Sequence, residues 1–371
     1  MILSSPAIVK QVEVEAYRIP TDQPEEDGTF HWESTTLVLV EVTAENGARG
    51  LGFSYASTAS AALIRDLLAD RVIGLRVEDT GAAWQRMVRS VRNAGRPGVA
   101  SHAISAVDIA LWDLKARLSK QALFHLLGPY RDGVPVYGSG GFTNYSETRL
   151  AEQLGAWVAS GIPRVKMKIG KDWGSRPQED LQRVRIARDA IGPQAELFVD
   201  ANGAYTAKQA IDLAQKFAEL GVTYFEEPVA FDFLAQLAFI RQRIPMDLAA
   251  GEYGYDIYDF RNVLLEQAVD VLQADVTRCL GVTGWLQAAQ LAYSFGIPFS
   301  AHTAPSIHAQ VGCIAPQIAH VEYFYDHARI EQLLFDGAPV PKNGVLYPDP
   351  SRPGLGLEFK RQDAQVWRID F

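Results

Sequence analysis

Three stretches, LFVDAN at residues 197–202, TYFEEP at 223–228 and LAAGE at 248–252, each set one acid at the end of a strand-like apolar run: Asp200, Glu226 and Glu252. The acids recur every 26 residues, the length of one strand, one helix and two loops, which is the repeat of a parallel β/α unit. Singly, an acid after a strand is an ordinary helix N-cap or a solvated loop residue. Three in register can converge on the mouth of a barrel, where their oxygens suit a hard divalent cation such as Mg²⁺.

Basic and imidazole groups frame these acids. In RVKMKIG, residues 164–170, Lys166 and Lys168 alternate with Val165, Met167 and Ile169, so both amines point to one face of a strand. Two adjacent ammonium groups are expected to lower each other's pKa and prepare one as a base near neutrality. A lone K-x-K would read as a solvated edge strand. Downstream, VDVLQAD ends on Asp275, IPFSAHT carries His302 and AHVEYF carries Glu322. A carboxylate facing an imidazole from the next strand fixes its tautomer and stabilises its protonated form. Strand ends two to eight therefore carry, in order, Lys, Asp, Glu, Glu, Asp, His and Glu.

This ordered series, K-x-K, D-A-N, E-E-P, G-E, D…G-V-T, H and E, resembles the mandelate racemase and muconate lactonizing branch of the enolase superfamily. It is most similar to the mandelate racemase-like subgroup, in its acid sugar dehydratase form, where a Lys base is paired with a His-Asp dyad. The resemblance spans nearly the whole chain. It implies an α/β protein with a C-terminal modified TIM (β/α)7β barrel and an N-terminal α+β capping domain completed by the C-terminal tail. It further implies that Asp200, Glu226 and Glu252 hold Mg²⁺, that Lys168 is one acid/base, and that His302 with Asp275 is the other on the opposite face. Lys166 would hold down the pKa of Lys168 and touch the substrate carboxylate, and Glu322 would hydrogen-bond a carboxylate oxygen as an enediolate forms. A homo-oligomer is also implied. Leu280 departs from the pattern, since many relatives have glycine there; only packing near the sixth strand should feel it.

Composition agrees. At 371 residues and 48% hydrophobic content the chain exceeds a bare barrel of roughly 250 residues, so a second domain is expected. A net charge of −9 and a pI near 5.4 argue against a nucleic-acid surface. Cys279 and Cys313 are too few for a disulfide framework. Residues 1–20 lack a basic n-region and are interrupted by Lys10 and Glu13, so they read as a strand rather than a signal peptide. No run reaches membrane-span length, and a cytoplasmic protein is expected. Residues 8–19 and 36–43 alternate as half-buried strands, and GARGLGFSYAS continues the meander. Ile104, Val107, Leu111, Leu114 and Leu118 then recur at helical spacing. The organisation expected is a capping domain over 1–133, a barrel over 134–340, and a tail over 341–371 that packs back on the cap.

TDQPEEDGTFHWE, residues 21–33, reads as a loop. The resemblance implies a specificity lid, with Phe30, His31 and Trp32 facing the ligand and Ser54 and Tyr55 beside them. Asn202 and Arg278 complete the candidate substrate contacts, whereas His308, His320 and His327 lack metal-like spacing and read as structural. The partner implied is a small carboxylate, a polyhydroxylated sugar acid in preference to an aromatic one. With Lys168 and His302 on two faces, α-proton abstraction leads to loss of a β-hydroxyl and a 2-keto-3-deoxy acid. The alternative is racemisation or epimerisation of a 2-hydroxy acid. A barrel that binds a sugar acid without turning it over is a third reading, and the complete set of catalytic groups weighs against it.

Overall fold

The protein is described here by a computed structural model covering residues 7–371; the first six residues of the stretch read as an N-terminal strand lie outside the described residues. Strands β1 (Val9–Glu26), β2 (His31–Ala44) and β3 (Arg49–Tyr55) form an antiparallel meander. β1 and β2 run further than the alternating segments 8–19 and 36–43 indicate. Their pairing continues past a register shift between Pro20 and Glu25 to Glu26 opposite His31, so the expected loop over 21–33 is a hairpin arm. An Asp-Gly turn closes it. The Asp27 amide donates to the Phe30 carbonyl (3.0 Å), and Asp27 Oδ1 accepts from the amides of Thr29 (2.6 Å) and Phe30 (2.7 Å), the local bonding that favours Asp in turns.

The Val99–Leu118 helix lies across this sheet and buries Ile104, Val107, Leu111 and Leu114. Its close approach depends on two glycines of β3. A Cβ on Gly50 would sit 2.4 Å from the Ala110 carbonyl oxygen, and one on Gly52 2.3 Å from that of Ala106. The opposite face of the helix meets the barrel, where buried Asp108 accepts from the Thr283 amide (2.9 Å) and hydroxyl (2.8 Å). Leu280, the residue that departs from the family pattern, takes a left-handed conformation (φ 70°) and joins the apolar cluster of the cap, 2% exposed. The left-handed position after the sixth barrel strand thus places its side chain in the cap.

Eight parallel strands follow: β4 (Val134–Gly140), β5 (Arg164–Lys168), β6 (Glu196–Asp200), β7 (Val222–Glu226), β8 (Asp247–Ala250), β9 (Val271–Ala274), β10 (Phe299–Ala301) and β11 (Ile318–Phe324). Each pairs with the next, and β11 closes on β4 with Val321 opposite Val136. Helices cover the outside. Inside, Tyr137, Phe198, Tyr224, Ala249 and Val271 form a separate buried cluster, with the Phe198 and Tyr224 rings stacked at 4.5 Å. A further helix, Tyr325–Leu334, turns to the cap, where Asp326 accepts from the Thr35 hydroxyl (2.5 Å) and Arg329 donates to the Pro20 carbonyl (2.6 Å).

Among the tail strands, β12 (Phe335–Asp336) pairs with β14 (Glu358–Phe359), β13 (Val345–Leu346) adds antiparallel to β4, and β15 (Arg368–Ile369) adds to β1. Asp113, buried on the long helix, accepts from the amides of Leu51 (2.8 Å) and Leu355 (2.6 Å), joining cap sheet, helix and tail. No helix among the described residues is long and apolar enough to cross a membrane.

Candidate active site

Register places the chemistry. Lys168 on β5 is opposite Asp200 on β6, and Asp200 is opposite Glu226 on β7. Glu252 follows β8 by two residues, Asp275 follows β9 directly and His302 follows β10 directly; Glu322 lies within β11, two residues before its end. Parallel strands present their C-terminal ends to one side, so these groups meet over the aromatic plug. Asp200, Glu226 and Glu252 are all buried, and one oxygen from each lies within 4.8 Å of the others.

These carboxylates fit a hard cation on their own chemistry. Three buried carboxylates with oxygens within 4.8 Å of one another repel when ionised, and Glu226 Oε2 is buried with no hydrogen-bond partner; a divalent ion with oxygen preference satisfies both conditions. Glu227, the next residue, is buried too and is pushed well above the ordinary carboxyl range by burial and by Glu252.

Lys166 is fully buried, its Nζ 2.6 Å from Glu226 Oε1, 2.8 Å from Glu322 Oε1 and 3.3 Å from Asp200 Oδ2. Lys168 bonds Asp200 Oδ2. The lowering expected from one ammonium beside another is present but outweighed. Burial lowers both, but Glu226 and Glu322 around Lys166, and Asp200 beside Lys168, outweigh it and raise both above the ordinary lysine value. Repulsion from Lys166 does act on Lys168, yet it is the smaller effect.

On the other side His302 Nδ1 lies 2.8 Å from Asp275 Oδ2, while Nε2 is 3.2 Å from Glu252 Oε2 and 3.6 Å from Glu322 Oε2. Burial pulls this imidazole down, but Glu252, Glu322 and the Asp275 bond bring it up to about 9. Asp275 is held far below its usual range against burial, first by the His302 bond and charge. Its Oδ1 accepts from both the amide and the hydroxyl of Thr277 at 2.7 Å. Glu322 also accepts from the Ser139 hydroxyl (2.6 Å) and the Thr303 amide (3.2 Å).

A cavity of about 690 Å³ opens over this cluster, between barrel and cap. Phe30, Trp32, Tyr55, Asn202 and Arg278 are in its wall. His31 is not: strand alternation turns it outward, where it is about half exposed beside Glu33. Ser54 is also outside, buried and donating to the Thr277 carbonyl (2.6 Å). Tyr55 offers its ring, stacked on His327 at 3.4 Å, while its hydroxyl turns to Glu331. Arg278 is paired with Glu252 (3.2 Å) and Asp275 (3.5 Å). Of the three histidines read as structural, His308 bonds the Thr303 carbonyl and the Val276 amide, His320 bonds Ser300 at the plug, and His327 belongs to the cavity wall.

Sequence reasoning passed over Asp27, Ser34, Thr36, Ser57 and His102, which also line the cavity. The Asp27-Gly28 pair was a readable turn signal. His102 carried none, because only tertiary packing brings the first turn of the cap helix over the barrel. The hairpin tip is fixed to the barrel: the Thr143 amide donates to the Glu26 carbonyl (2.8 Å) and the Trp173 amide to that of Gly28 (2.9 Å).

Comparison with known proteins agrees with this arrangement. Residues 12–128 match the family model for the mandelate racemase / muconate lactonizing enzyme N-terminal domain, and residues 149–364 match the enolase C-terminal domain-like model. A crystal structure of a mandelate racemase/muconate lactonizing enzyme-like protein from Rubrobacter xylanophilus superposes with a TM-score of 0.94 at 49% identity, covering 97% of this chain and 99% of that one. L-talarate/galactarate dehydratase from Salmonella typhimurium LT2, crystallised with Mg and L-lyxarohydroxamate, superposes at 0.91 with 25% identity over 100% of this chain and 95% of that one. D-galactarolactone cycloisomerase of Agrobacterium fabrum is 30% identical over 94% of this chain and 95% of its own length.

Proposed function

We propose that this chain, which belongs to the mandelate racemase/muconate lactonizing enzyme family of the enolase superfamily, is a Mg²⁺-dependent dehydratase of a sugar acid. Asp200, Glu226 and Glu252 would hold the metal. When bound, Mg²⁺ supplies positive charge that offsets these carboxylates and the charge that builds on the substrate carboxylate as its α-proton leaves.

The observation that carries the reading is the placement of two proton-transfer groups at opposite ends of the acid cluster. Lys168 touches Asp200, whereas His302 touches Glu252. With a cation offsetting Asp200, the carboxylate that holds Lys168 protonated, the amine would lose its proton and take the α-proton. His302, tied to Asp275 through Nδ1, presents Nε2–H and gives that proton to the β-hydroxyl, which departs as water. The enol left behind becomes a 2-keto-3-deoxy acid. Lys166 and Glu322 flank the carboxylate end, and the cap and hairpin exclude bulk water.

Epimerisation is the second reading, favoured by the same pair of groups, since His302 could return a proton to the carbon from the opposite face. The enzyme with Mg²⁺, incubated with a sugar acid library in deuterium oxide, separates the two. Keto-acid release supports dehydration; α-deuterium incorporation with inverted configuration and no keto acid supports epimerisation. Neither product nor exchange from any acid would leave only a binding barrel.

A further inference from the structure

We propose that the site takes a sugar acid with a single carboxylate, and that Asp27 at the hairpin tip selects it, accepting a hydrogen bond from a chain hydroxyl and repelling a second carboxylate. The inference rests on the reading above, in which Mg²⁺ would offset the charge of the one substrate carboxylate and Lys166 and Glu322 flank it.

A diacid of the same chain needs a second cationic site, and the charges of the cavity wall are set against one. Outside Lys168 and His302, the wall has one permanently charged cation, Arg278, and it is already spent on Glu252 (3.2 Å) and Asp275 (3.5 Å). The two remaining imidazoles are uncharged at neutral pH: burial pushes His102 down to about 4 and His327 to about 3. A carboxylate placed among them would be desolvated without a counter-charge, which is costly. Ser34, Thr36 and Ser57 supply neutral hydroxyls, which suit a polyol.

Asp27 adds a negative charge to the same wall. The turn holds its Oδ1 with the donors of Thr29 and Phe30, so Oδ2 is the oxygen left to a ligand. Burial raises this carboxyl above its ordinary value even though Lys168 pulls the other way. Among the described residues Lys168 is the one cation that acts on this acid, so its second oxygen gains by meeting a hydroxyl donor and loses by meeting another anion.

The test uses Mg²⁺-loaded enzyme and matched acids of one configuration, gluconate against glucarate and galactonate against galactarate. Keto-acid release and calorimetric binding are both read. The preferred monoacid should exceed its diacid in kcat/KM by on the order of a hundredfold, because like-charge contacts cost several kcal/mol. Asp27→Asn keeps an oxygen for Thr29 and Phe30 and so preserves the turn; it should narrow the ratio at least tenfold, weakening the monoacid and admitting the diacid. A wild-type enzyme that binds or turns over the diacid as well as the monoacid overturns the inference, and so does an unchanged ratio in Asp27→Asn. If no monoacid or diacid of the sugar acid library is bound or turned over, the dehydratase reading itself fails and the inference falls with it.

Discussion

Replacing Asp275 by asparagine probes the dyad through a geometry that leaves the amide little choice. Asp275 Oδ1 receives the amide and hydroxyl of Thr277, both at 2.7 Å, so the amide oxygen of an asparagine must stay there. Its NH₂ group then faces His302 Nδ1, where the carboxylate now sits at 2.8 Å. Two donors cannot share that contact, so Nδ1 has to surrender its proton and the imidazolium is lost. Asp275 shares the raising of His302 to about 9 with Glu252 and Glu322, so its loss lowers the imidazole by part of that shift, at about 1.4 kcal/mol of preference for the charged form per pKa unit. Together with the wrong tautomer, the expected rise in the barrier is on the order of 3 to 5 kcal/mol, a loss of several hundredfold or more. The imidazolium is the proton donor, so elimination persists below its pKa and fails above it; in the variant the basic limb of kcat should move to lower pH. Keto-acid release followed from pH 6 to 10 reads both effects. A near-normal rate with an unmoved basic limb would refute the reasoning and reduce Asp275 to a structural acid.

Three further outcomes are expected. Glu226→Gln should weaken Mg²⁺ binding by at least about tenfold in calorimetry with an unchanged circular dichroism spectrum; full binding in that variant would move the ligand role to Glu227. Glu25 is buried and pushed up to about 9, first by burial and then by Asp326, against the Trp32 bond. Because the folded state holds this proton more tightly, its contribution to stability falls as pH rises from about 4.5 towards 9, by about 2 to 3 kcal/mol between pH 6 and 8. Melting curves of Glu25→Gln should lack that part of the decline, and parallel pH dependence in both proteins would rule it out. Leu280→Ala retains the left-handed backbone but deletes a side chain that is 2% exposed, which should cost about 2 to 4 kcal/mol in chemical denaturation; a cost below about 0.5 kcal/mol would mean that the cap does not depend on this anchor.

How much the sequence could reveal followed from the range of the forces involved. Barrel strands are legible because buried runs alternate with helical stretches and seven of them lead to a polar residue, 20 to 32 residues apart, and parallel strands point those ends the same way. Asp200, Glu226 and Glu252 could be grouped on that ground, as could Lys168 and His302. The hairpin reads as a loop because the register shift between Pro20 and Glu25 breaks the alternation that marks a strand, although Asp27-Gly28 is a turn signal. Read as part of a loop, His31 has no strand alternation to turn it away from the ligand side. Repulsion within the lysine pair is legible, but the carboxylates that outweigh it arrive from other strands. Ser34, Thr36 and His102 reach the cavity only through packing of cap on barrel, which no local pattern encodes.

The central claim is that Lys168 removes the α-proton and His302 expels the hydroxyl. It is tested most directly by incubating His302→Asn and Lys168→Ala, each with Mg²⁺ and the substrate, in deuterium oxide. The account predicts that His302→Asn exchanges the α-proton with solvent yet releases no keto acid, and that Lys168→Ala does neither. Exchange surviving in Lys168→Ala and lost in His302→Asn, or keto-acid release at the wild-type rate in either variant, would contradict it.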